Sequence, residues 1–561
     1  MVKKILLFIT FISFCGNSSY ASKRTEAEMK AIACQKLFVA MARDTKSVSN
    51  NLNRVIKNEY LSVYSAGDRG FVVISHDDTF PAVIGFSDTK IDTTNLPDGF
   101  SWWLQEATYS MQQRLKSNNW YTASEITNSI EPFITTTWDQ LRPYNQKCPK
   151  VGTDRCPTGC VATAASQIMN YFKYPLKAQG RSKYYSNGLE RNAVINSTYD
   201  WSHMKNTYRE GESAQTPESK AVSALMFDAG VASGMEYTPS YSAANLTDCA
   251  NGMTNIFQYD SLSLRYLIRE FYSDIEWRNY VIDELSNMRP ILYAGYSENG
   301  QDGHAFVFDG IDAEGRVHVN WGWGGECDGY YDMFLLQPQN EGIQQGDFRF
   351  YTQMLLGFNP TNTPTEDSVE HSTWFTDSIY RFFIDETDSL VLNARGIYNG
   401  NYRCFRGKVM VRMENINGNE DDSWDIIIYD TEDEDASPIE SFYGFIFNEE
   451  DENLMGNETI IGLKNDSIKN GTYIVSLVTQ ALYEPEPEPI RYYDGVTWQY
   501  TLVKGADGSL SIRENMPTAI LPLRRNKYCD TKHIFNLQGI PINETSLKRG
   551  IYILNGKKVI K

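Results

Sequence analysis

Apolar and polar positions in the first part of the chain predict a small mixed unit. Residues 22–45 carry apolar side chains at helical spacing, namely Met29, Ile32, Ala33, Leu37 and Ala40. A second helix is predicted near 99–116, and between the helices YLSVYSAG, GFVVISHDD and FPAVIGFSD are typical of short strands broken by Gly, Asp and Pro. The unit ends in the polar stretch SNNWYTASEITNSIEP, which is typical of an exposed, cleavable linker near 117–131.

Residues 131–360 show helical periodicity first and strand alternation later. The helical segments are 160–172, 216–234 and 274–288. From RPILYAGY onward the pattern is that of strands, in GHAFVFDGID, GRVHVNWGW, GYYDMFLL and MLLGFNP. Helices and strands in separate blocks predict an α+β fold rather than a doubly wound sheet.

Beyond the linker NPTNTPTEDS the chain is predicted to be almost entirely β-structure. Short strands are expected in RFFIDE, LVLNARGIY, KVMVRMEN, WDIIIYD, SFYGFIF, TYIVSLV and WQYTLV. This pattern is typical of a β-sandwich. The tail from residue 526 is hairpin-like and separate in character from the region before it.

Length and charge narrow the possible functions. A chain of 561 residues exceeds what one hydrophobic core usually supports, so several domains are expected. The formal net charge of −19 is concentrated in residues 361–525, which hold 13 Lys and Arg against 30 Asp and Glu, whereas residues 526–561 hold 7 basic and 2 acidic side chains. Because no basic stripe is present, binding to nucleic acid or to an anionic membrane surface has little electrostatic support.

The N-terminus has the pattern of an export signal at residues 1–21. Lys3 and Lys4 precede an apolar run from Ile5 to Phe14, and small residues follow at Ser19 and Ala21. The run is too short for a permanent membrane helix, and no later segment approaches about 20 apolar residues. We therefore expect a secreted or cell-surface protein without an integral membrane segment. Lipidation at Cys15 is the alternative, which the bulky Phe14 disfavours.

The nine cysteines are too few to form the framework of the fold. Cys148 and Cys156 lie eight residues apart and could form a disulfide in an oxidising compartment. Cys156 and Cys160 have no matching Cys or His cluster elsewhere, so no zinc site is predicted. The acidic segment EDDSWDIIIYDTEDEDAS lacks EF-hand spacing and is interpreted as a solvated face.

Cys160 is a candidate nucleophile. It follows Thr158 and Gly159 and begins the predicted 160–172 helix, whose first turn offers free N–H groups and a dipole that favours a thiolate. The alternative is an inert cysteine in a core, which is the commoner state of a lone buried cysteine.

His304 is the candidate base among six histidines, because it opens a strand after a Gly-rich loop. If DAEG is a hairpin turn, pairing 304–309 with 316–321 places His304 opposite Trp321 or its neighbours. Asn320 or Trp321 would then lie beside the imidazole, where an amide can orient the ring and an indole can exclude water. His318, in the second strand, is predicted to be structural.

Four segments in this order resemble the streptopain family of papain-like cysteine proteases, including the interpain type: WDQLRPYN, TGCVATAASQIMNYF, GHAFVFDG and HVNWGWGG. The resemblance covers residues 22–360. It implies that Cys160 is the nucleophile, His304 the general base and then acid, and Gln140 the side-chain donor to the oxyanion. It also implies that Asn320 and Trp321 orient and shield His304.

The resemblance further implies a binding site for the substrate backbone at Gly303, beside the histidine, and at Ser242 in the loop YTPSYSAAN. That loop departs from the family's glycine-rich pattern at Tyr241, so the resemblance does not fix the shape of the subsite. Protein and peptide substrates are the expected partners, and no metal or organic cofactor is implied.

Together with the export signal, the resemblance divides the chain. It implies an inhibitory prodomain at 22–130, similar to the family's in GFVVISHDDTFPAVIGFSD, a papain-like catalytic domain at 131–360, an acidic β-sandwich at 361–525 and a tail at 526–561. The prodomain would act as an intramolecular inhibitor by occupying the cleft or displacing His304. The tail resembles a bacterial C-terminal sorting region, or is a last hairpin of the sandwich.

Two other functions are compatible with the sequence. The Cys–His pair could belong to an amidase that acts on cell-wall peptides. Alternatively, the chain could be a non-catalytic surface binding protein whose β-region carries the function, although the presence of Cys160, His304 and Gln140 argues against it.

Overall fold

The structure is a computed structural model. It describes residues 22–41, 52–117, 129–209, 212–296, 303–336, 352–361, 369–376, 380–393, 396–416, 424–433, 436–442, 444–446, 454–456, 463–515, 534–535, 551–554 and 557–560. The predicted signal, most of the linker and most of the tail lie outside these residues. The chain forms two compact units, one of residues up to Tyr259 with Ile282–Pro360, the other of Asp260–Val281 with residues from Thr361 onward.

The predicted helices are present, with ends close to the expected ones. The described helices are α1 Glu26–Met41, α2 Asp98–Ser117, α3 Cys160–Phe172, α4 Pro217–Ala232, α5 Leu246–Asn255 and α6 Asp274–Ser286. α4 begins where Thr216 accepts a hydrogen bond from the Ser219 N–H and Pro217 occupies the first turn. The prediction missed α5, whose Asn and Gly residues have poor helix propensity.

Strands up to residue 360 form one large sheet and smaller ones. They are β1 Asn53–Lys57, β2 Leu61–Ser65, β3 Phe71–Ser75, β4 Val83–Ser87, β5 Lys150–Val151, β6 Asp154–Arg155, β7 Lys177–Ser186, β8 Leu189–Thr198, β9 Glu236–Tyr237, β10 Ser242–Ala243, β11 Arg265–Ile268, β12 Ile291–Tyr296, β13 Gly303–Ile311, β14 Val317–Asn320, β15 Gly329–Tyr331 and β16 Thr352–Leu356.

In the first unit, one large sheet contains strands from the N-terminal residues and strands from the part of the chain that bears Cys160 and His304. The strand order is β1-β2-β3-β4-β15-β14-β13-β12-β16, and each neighbouring pair is antiparallel. Helix α2 lies on this sheet, with the rings of Phe100 and Trp103 5.7 and 4.7 Å from the ring of Tyr331. The N-terminal strands therefore extend the sheet that carries His304.

The β13–β14 hairpin exists, but its predicted register is wrong. Val307 pairs with Asn320 and Gly310 with His318, with an irregularity between Phe308 and Gly310. The first strand runs two residues beyond Asp309, because the turn is closed by Asp312, whose side chain accepts from the Arg316 N–H at 2.9 Å. His304 consequently lies beyond the last paired position rather than directly opposite Trp321.

A second hairpin, β7–β8, was not predicted. Ser186 pairs with Leu189 across Asn187 and Gly188, whose φ angles are 52° and 73°. An Asn-Gly pair with positive φ at both positions is the preferred two-residue hairpin turn, so the sequence did contain the signal.

The second unit is a β-sandwich, as predicted. Its strands are β17 Trp374–Thr376, β18 Arg381–Ile384, β19 Ser389–Asn393, β20 Ile397–Asn399, β21 Gly407–Asn415, β22 Trp424–Asp430, β23 Gly444–Ile446, β24 Leu454–Gly456, β25 Leu463–Lys464, β26 Gly471–Ala481, β27 Glu488–Pro489, β28 Tyr500–Lys504, β29 Leu510–Glu514, β30 Ile534–Phe535, β31 Ile551–Leu554 and β32 Lys557–Ile560. The sheet β22-β21-β26-β28-β29 and the sheet β18-β19-β25 share one core, which includes Phe382, Leu392, Val411 and Leu477.

Candidate active site

Cys160 is the first residue of α3, as the sequence predicts. The preceding Gly159 has a φ of 87°, and a Cβ there would lie 2.7 Å from the Met235 side chain and 2.9 Å from the Ser242 carbonyl. Only glycine fits this turn, because other residues rarely adopt such a φ and the space is filled. Cys160 is thus held at a helix N-terminus, where the N–H groups of the first turn stabilise negative charge.

His304 lies at the start of β13 and forms a side-chain hydrogen bond with Cys160. Its Nε2 lies 3.1 Å from the carbonyl oxygen of Trp321. Because a carbonyl only accepts, Nε2 carries the proton in this bond and Nδ1 remains for the sulfur. His304 as a whole is 6 % exposed.

The two groups shift each other's protonation in opposite directions. Burial disfavours the thiolate of Cys160, but the charge and hydrogen bond of His304 and the N–H groups of Ala305 and Val161 lower its pKa overall. Burial likewise disfavours the imidazolium, but the Cys160 charge and hydrogen bond, the Trp321 carbonyl and the Asp98 charge raise the pKa of His304. Such shifts favour a thiolate–imidazolium pair.

Gln140 lies in the segment that leads to Cys160. Its carbonyl oxygen accepts from the Thr158 N–H at 3.0 Å, two residues before the nucleophile, and its own N–H bonds to the Asp139 carboxylate. Gln140 as a whole is 9 % exposed. The backbone bond fixes Gln140 beside the first turn of α3, which is where an oxyanion donor has to be.

Trp321 lies against His304 as expected, whereas Asn320 does not bond to the imidazole. The Trp321 ring is fully buried, and its Nε1 donates to the Cys327 carbonyl at 2.9 Å. The Asn320 carboxamide is occupied by Gln167, Thr136 and the Gly322 N–H. The expected amide beside His304 is therefore replaced by the backbone carbonyl of Trp321, because the register of the hairpin aims Asn320 towards α3.

The predicted substrate positions both lie near Cys160. The Ser242 hydroxyl donates to the Pro157 carbonyl at 2.8 Å, and the Ser242 carbonyl faces Gly159. Gly303 is exposed and pairs with Tyr296, and a Cβ at Gly303 would lie 2.5 Å from the Tyr296 ring. Burial and the charge of Cys160 raise the pKa of Tyr296 to about 12. Tyr296 is thus a site residue that sequence reasoning missed.

The start of α2, in the N-terminal part of the unit, covers His304. A Cβ at Gly99 would lie 2.2 Å from Cδ2 and 2.7 Å from Nε2 of His304, and 2.7 Å from the Trp321 ring. The neighbouring Asp98 supplies negative charge to the imidazole. On the same helix, Trp102 fills the space over Gly295, where a Cβ would lie 2.1 Å from its ring. Nothing in the sequence marked Gly99 beforehand.

Cys148 and Cys156 are both buried and are not bonded to each other, so the disulfide option is not realised. Burial raises the pKa of Cys148 to about 12. Among the described residues, one group has the donor types of a metal site, with ligand atoms of His371, Glu484 and Glu488 within 4.8 Å of one another. The Glu484 carboxylate already accepts from Ser372 and Ala481, which fits a structural role in the second unit.

Comparison with known proteins decides the family. Residues 138–331 match the family model of the peptidase C10 family, and residues 19–111 match that of the Spi protease inhibitor. Residues 138–331 form a C10 peptidase domain. The match confirms the predicted family and enzyme class, a cysteine peptidase with an inhibitor-type prodomain, and it includes Gln140, Cys160 and His304.

Several relatives resemble this C10 peptidase. It is 30% identical over 385 residues to the thiol protease/hemagglutinin PrtT of Porphyromonas gingivalis, covering 64% of this chain but only 43% of PrtT. It is 28% identical over 377 residues to streptopain of Streptococcus pyogenes, covering 62% of this chain and 94% of streptopain. A solved prointerpain A fragment of Prevotella intermedia is 35% identical, with a TM-score of 0.49, over 55% of this chain and 98% of the fragment. No described helix of the C10 peptidase is long and apolar enough to cross a membrane.

Proposed function

We propose that this chain is a secreted cysteine endopeptidase, made as a zymogen, that hydrolyses peptide bonds of proteins through Cys160 and His304. The hydrogen bond between these two residues, with the pKa of the thiol lowered and that of the imidazole raised, carries the proposal. A thiolate at neutral pH is what nucleophilic attack on a peptide carbonyl requires.

The reaction runs in two stages. The Cys160 thiolate attacks the carbonyl carbon, and the oxyanion accepts hydrogen bonds from the Gln140 side chain and the N–H groups at the start of α3. His304 then gives its proton to the leaving amine, and an acyl-enzyme forms. Next, His304 takes a proton from water, the hydroxide attacks the thioester, and the acid product leaves with Cys160 restored as thiolate. Gly303 and Ser242 bind the substrate backbone, and Trp321 shields the imidazole from water.

The zymogen is kept inactive by occupation of its cleft. The Cys160–His304 hydrogen bond is intact while Gly99 and Asp98 of α2 lie against the imidazole. This supports blocking by the prodomain at 22–130 rather than displacement of His304. Cleavage near 117–131 then releases the catalytic domain at 131–360. Export by the signal at 1–21, and the roles given to 361–525 and 526–561, are parts of the same proposal.

The test is a time course of casein hydrolysis by the purified full chain and by Cys160→Ala, followed on a gel. The wild type is expected to trim itself near 117–131 and then digest casein, while Cys160→Ala stays full length and inactive. Cys404→Ala is the matched control, because it removes an exposed thiol of the second unit. If the wild type stays inactive on casein after an added protease has cut the linker, but degrades purified peptidoglycan, the cell-wall amidase replaces the endopeptidase. Inactivity on both substrates favours the binding protein.

A further inference from the structure

Gln167 is a buried carboxamide on the same helix as Cys160, two turns further on. Its side chain is fully buried. Its Oε1 accepts from the Thr136 hydroxyl at 2.9 Å and from the Trp138 N–H at 3.3 Å, and its Nε2 donates to Oδ1 of Asn320 at 2.9 Å. Because two donors point at Oε1, the orientation of the amide is fixed, and its N–H must point at Asn320.

Asn320 is fixed in the same way. Its Nδ2 donates to the Thr136 carbonyl at 2.7 Å, so its Oδ1 faces the donors Gln167 Nε2 and the Gly322 N–H, the latter at 3.1 Å. The pair thus joins three segments: the helix of the nucleophile, the strand-like segment that leads to Gln140, and the turn after β14. Each of these segments contributes one part of the site.

The Gly322 N–H and the Trp321 carbonyl belong to one peptide group. Its N–H donates to Asn320, and its oxygen accepts from Nε2 of His304. A hydrogen bond donated by the N–H of a peptide and one accepted by its carbonyl oxygen polarise the peptide in the same direction. Each of the two bonds therefore strengthens the other. A continuous chain of hydrogen bonds therefore runs from Gln167 through Asn320 and this peptide to His304.

We propose that Gln167 and Asn320 are positioning residues for His304 and act through the peptide between Trp321 and Gly322. They fix the carbonyl that holds the proton on Nε2, which leaves Nδ1 for Cys160, and they raise the affinity of the imidazole for its second proton. The inference rests on the proposed peptidase function. It also explains the place of Asn320, which lies next to the site without contacting the imidazole.

The matched test variant is Gln167→Glu, which keeps the size of the side chain and the acceptor for Thr136 and Trp138. An ionised Glu cannot donate to Asn320, so the Asn320 amide turns over and presents its NH₂ to the Gly322 N–H. We expect kcat to fall about tenfold or more with KM little changed, because a general base is misplaced. We also expect the pKa of His304 to fall, because the polarised carbonyl is lost.

The readout is the rate of Cys160 alkylation by iodoacetamide against pH, on the full chain after the linker has been cut by an added protease. This rate reports the thiolate and its partner without a peptide substrate, so a wrong substrate class does not affect it. The part of the rate–pH profile that follows deprotonation of His304 is its alkaline limb, and in Gln167→Glu this limb should move to lower pH. Below neutral pH, a protonated Glu can again donate to Asn320 and should restore much of the wild-type alkylation rate. Ser166→Ala, a neighbour on α3 whose hydroxyl is buried without a partner among the described residues, is the control.

A second variant, expected not to move the His304 limb to lower pH, distinguishes the proposal from a general loss of folding. Asn320→Asp keeps an acceptor for the Gly322 N–H and adds negative charge, so the His304 limb should stay or move to higher pH, even though the bond to Thr136 is lost. The proposal is overturned if folded Gln167→Glu keeps the wild-type profile and kcat. It is also overturned if Asn320→Asp moves the limb to lower pH. If peptidase activity is absent from the wild type but the alkylation limbs move as stated, the proposed function fails and the positioning role stands.

Discussion

At the scale of single residues, the main feature of the site is that Cys160 and His304 shift each other's pKa. Both are shielded by neighbours, and burial opposes both charges, yet each group makes the other's charged form more favourable. A papain-like pair could be predicted from the residues Gly-Cys and Gly-His-Ala. The groups around it could not, because the hairpin register and the packing of α3 bring Tyr296 and the Trp321 carbonyl to the pair, and place Gln167 against Asn320.

The pH dependence of peptidase activity follows from these two shifts. The active pair needs ionised Cys160 and protonated His304, so activity is present above the pKa of Cys160 and lost above that of His304. We expect kcat/KM to rise well below the usual thiol pKa of about 8.5 and to fall above the usual imidazole pKa of about 6.5. A peptide assay from pH 4 to 10 measures both limbs. A single rise of kcat/KM near the pKa of a free thiol, with no fall at higher pH, would contradict the ion pair.

Asp328 provides a prediction about stability. Its Oδ1 accepts from the Trp321 N–H at 2.8 Å, and burial raises its pKa to about 7. An unfolded Asp ionises near pH 3.9, so between about pH 4 and 7 the unfolded chain loses a proton that the folded chain keeps. This contribution therefore lowers stability as pH rises through that window.

Asp328→Asn keeps the acceptor for Trp321 and removes this titration. Its urea midpoint relative to wild type should increase between pH 4.5 and 7.5. An unchanged difference between Asp328→Asn and wild type across this range would contradict the raised pKa.

At the scale of elements, helix α3 and strands β13 and β14 were predictable, while the exact pairing of the two strands was not. Thirteen residues of α3 were predicted with both ends correct, because Gly159 and the apolar period mark it. The β13–β14 register was missed, since a turn closed by the Asp312 side chain cannot be distinguished from a tighter DAEG turn by apolar alternation alone. The Asn187-Gly188 hairpin was missed although its turn signal was present.

The contact between α2 and His304 gives a prediction for activation. Gly99→Ala places a methyl group 2.2 Å from the imidazole, and overpacking a tight contact costs about 1–3 kcal/mol. The prodomain should therefore bind less tightly, and the lag before casein hydrolysis should shorten. Activity after complete processing should equal that of wild type, because α2 is then removed. Ser101→Ala, two residues further along α2, is the control and should keep the wild-type lag.

At the scale of the whole molecule, the two compact units do not follow the order of the chain. Residues 260–281 lie within the predicted catalytic segment but group with the β-sandwich. Within that second unit, Arg491 forms an ion pair with Glu276 at 2.8 Å, and the rings of Phe271 and Phe375 stack at 4.2 Å. Composition and strand spacing could predict the sandwich, but not that it includes a segment from earlier in the chain.

Truncation tests this arrangement. Ending the chain after Pro360 removes Phe375 and Arg491, which contact Phe271 and Glu276, so we expect a lower thermal midpoint and less soluble protein than for the full chain. Ending it after Asn515 keeps these partners and should have little effect on either. Equal stability of the Pro360 truncation and the full chain would show that residues 260–281 do not depend on the sandwich.

The Cys160–His304 ion pair is tested by the rate at which iodoacetamide alkylates Cys160 at pH 6. This rate is measured by mass spectrometry of the labelled peptide, with the exposed Cys404 as the internal reference. We expect Cys160 to react far faster than Cys404 after the linker is cut, and His304→Ala to remove this difference. A Cys160 that reacts no faster than Cys404, or equally fast in His304→Ala, would contradict a thiolate held by His304.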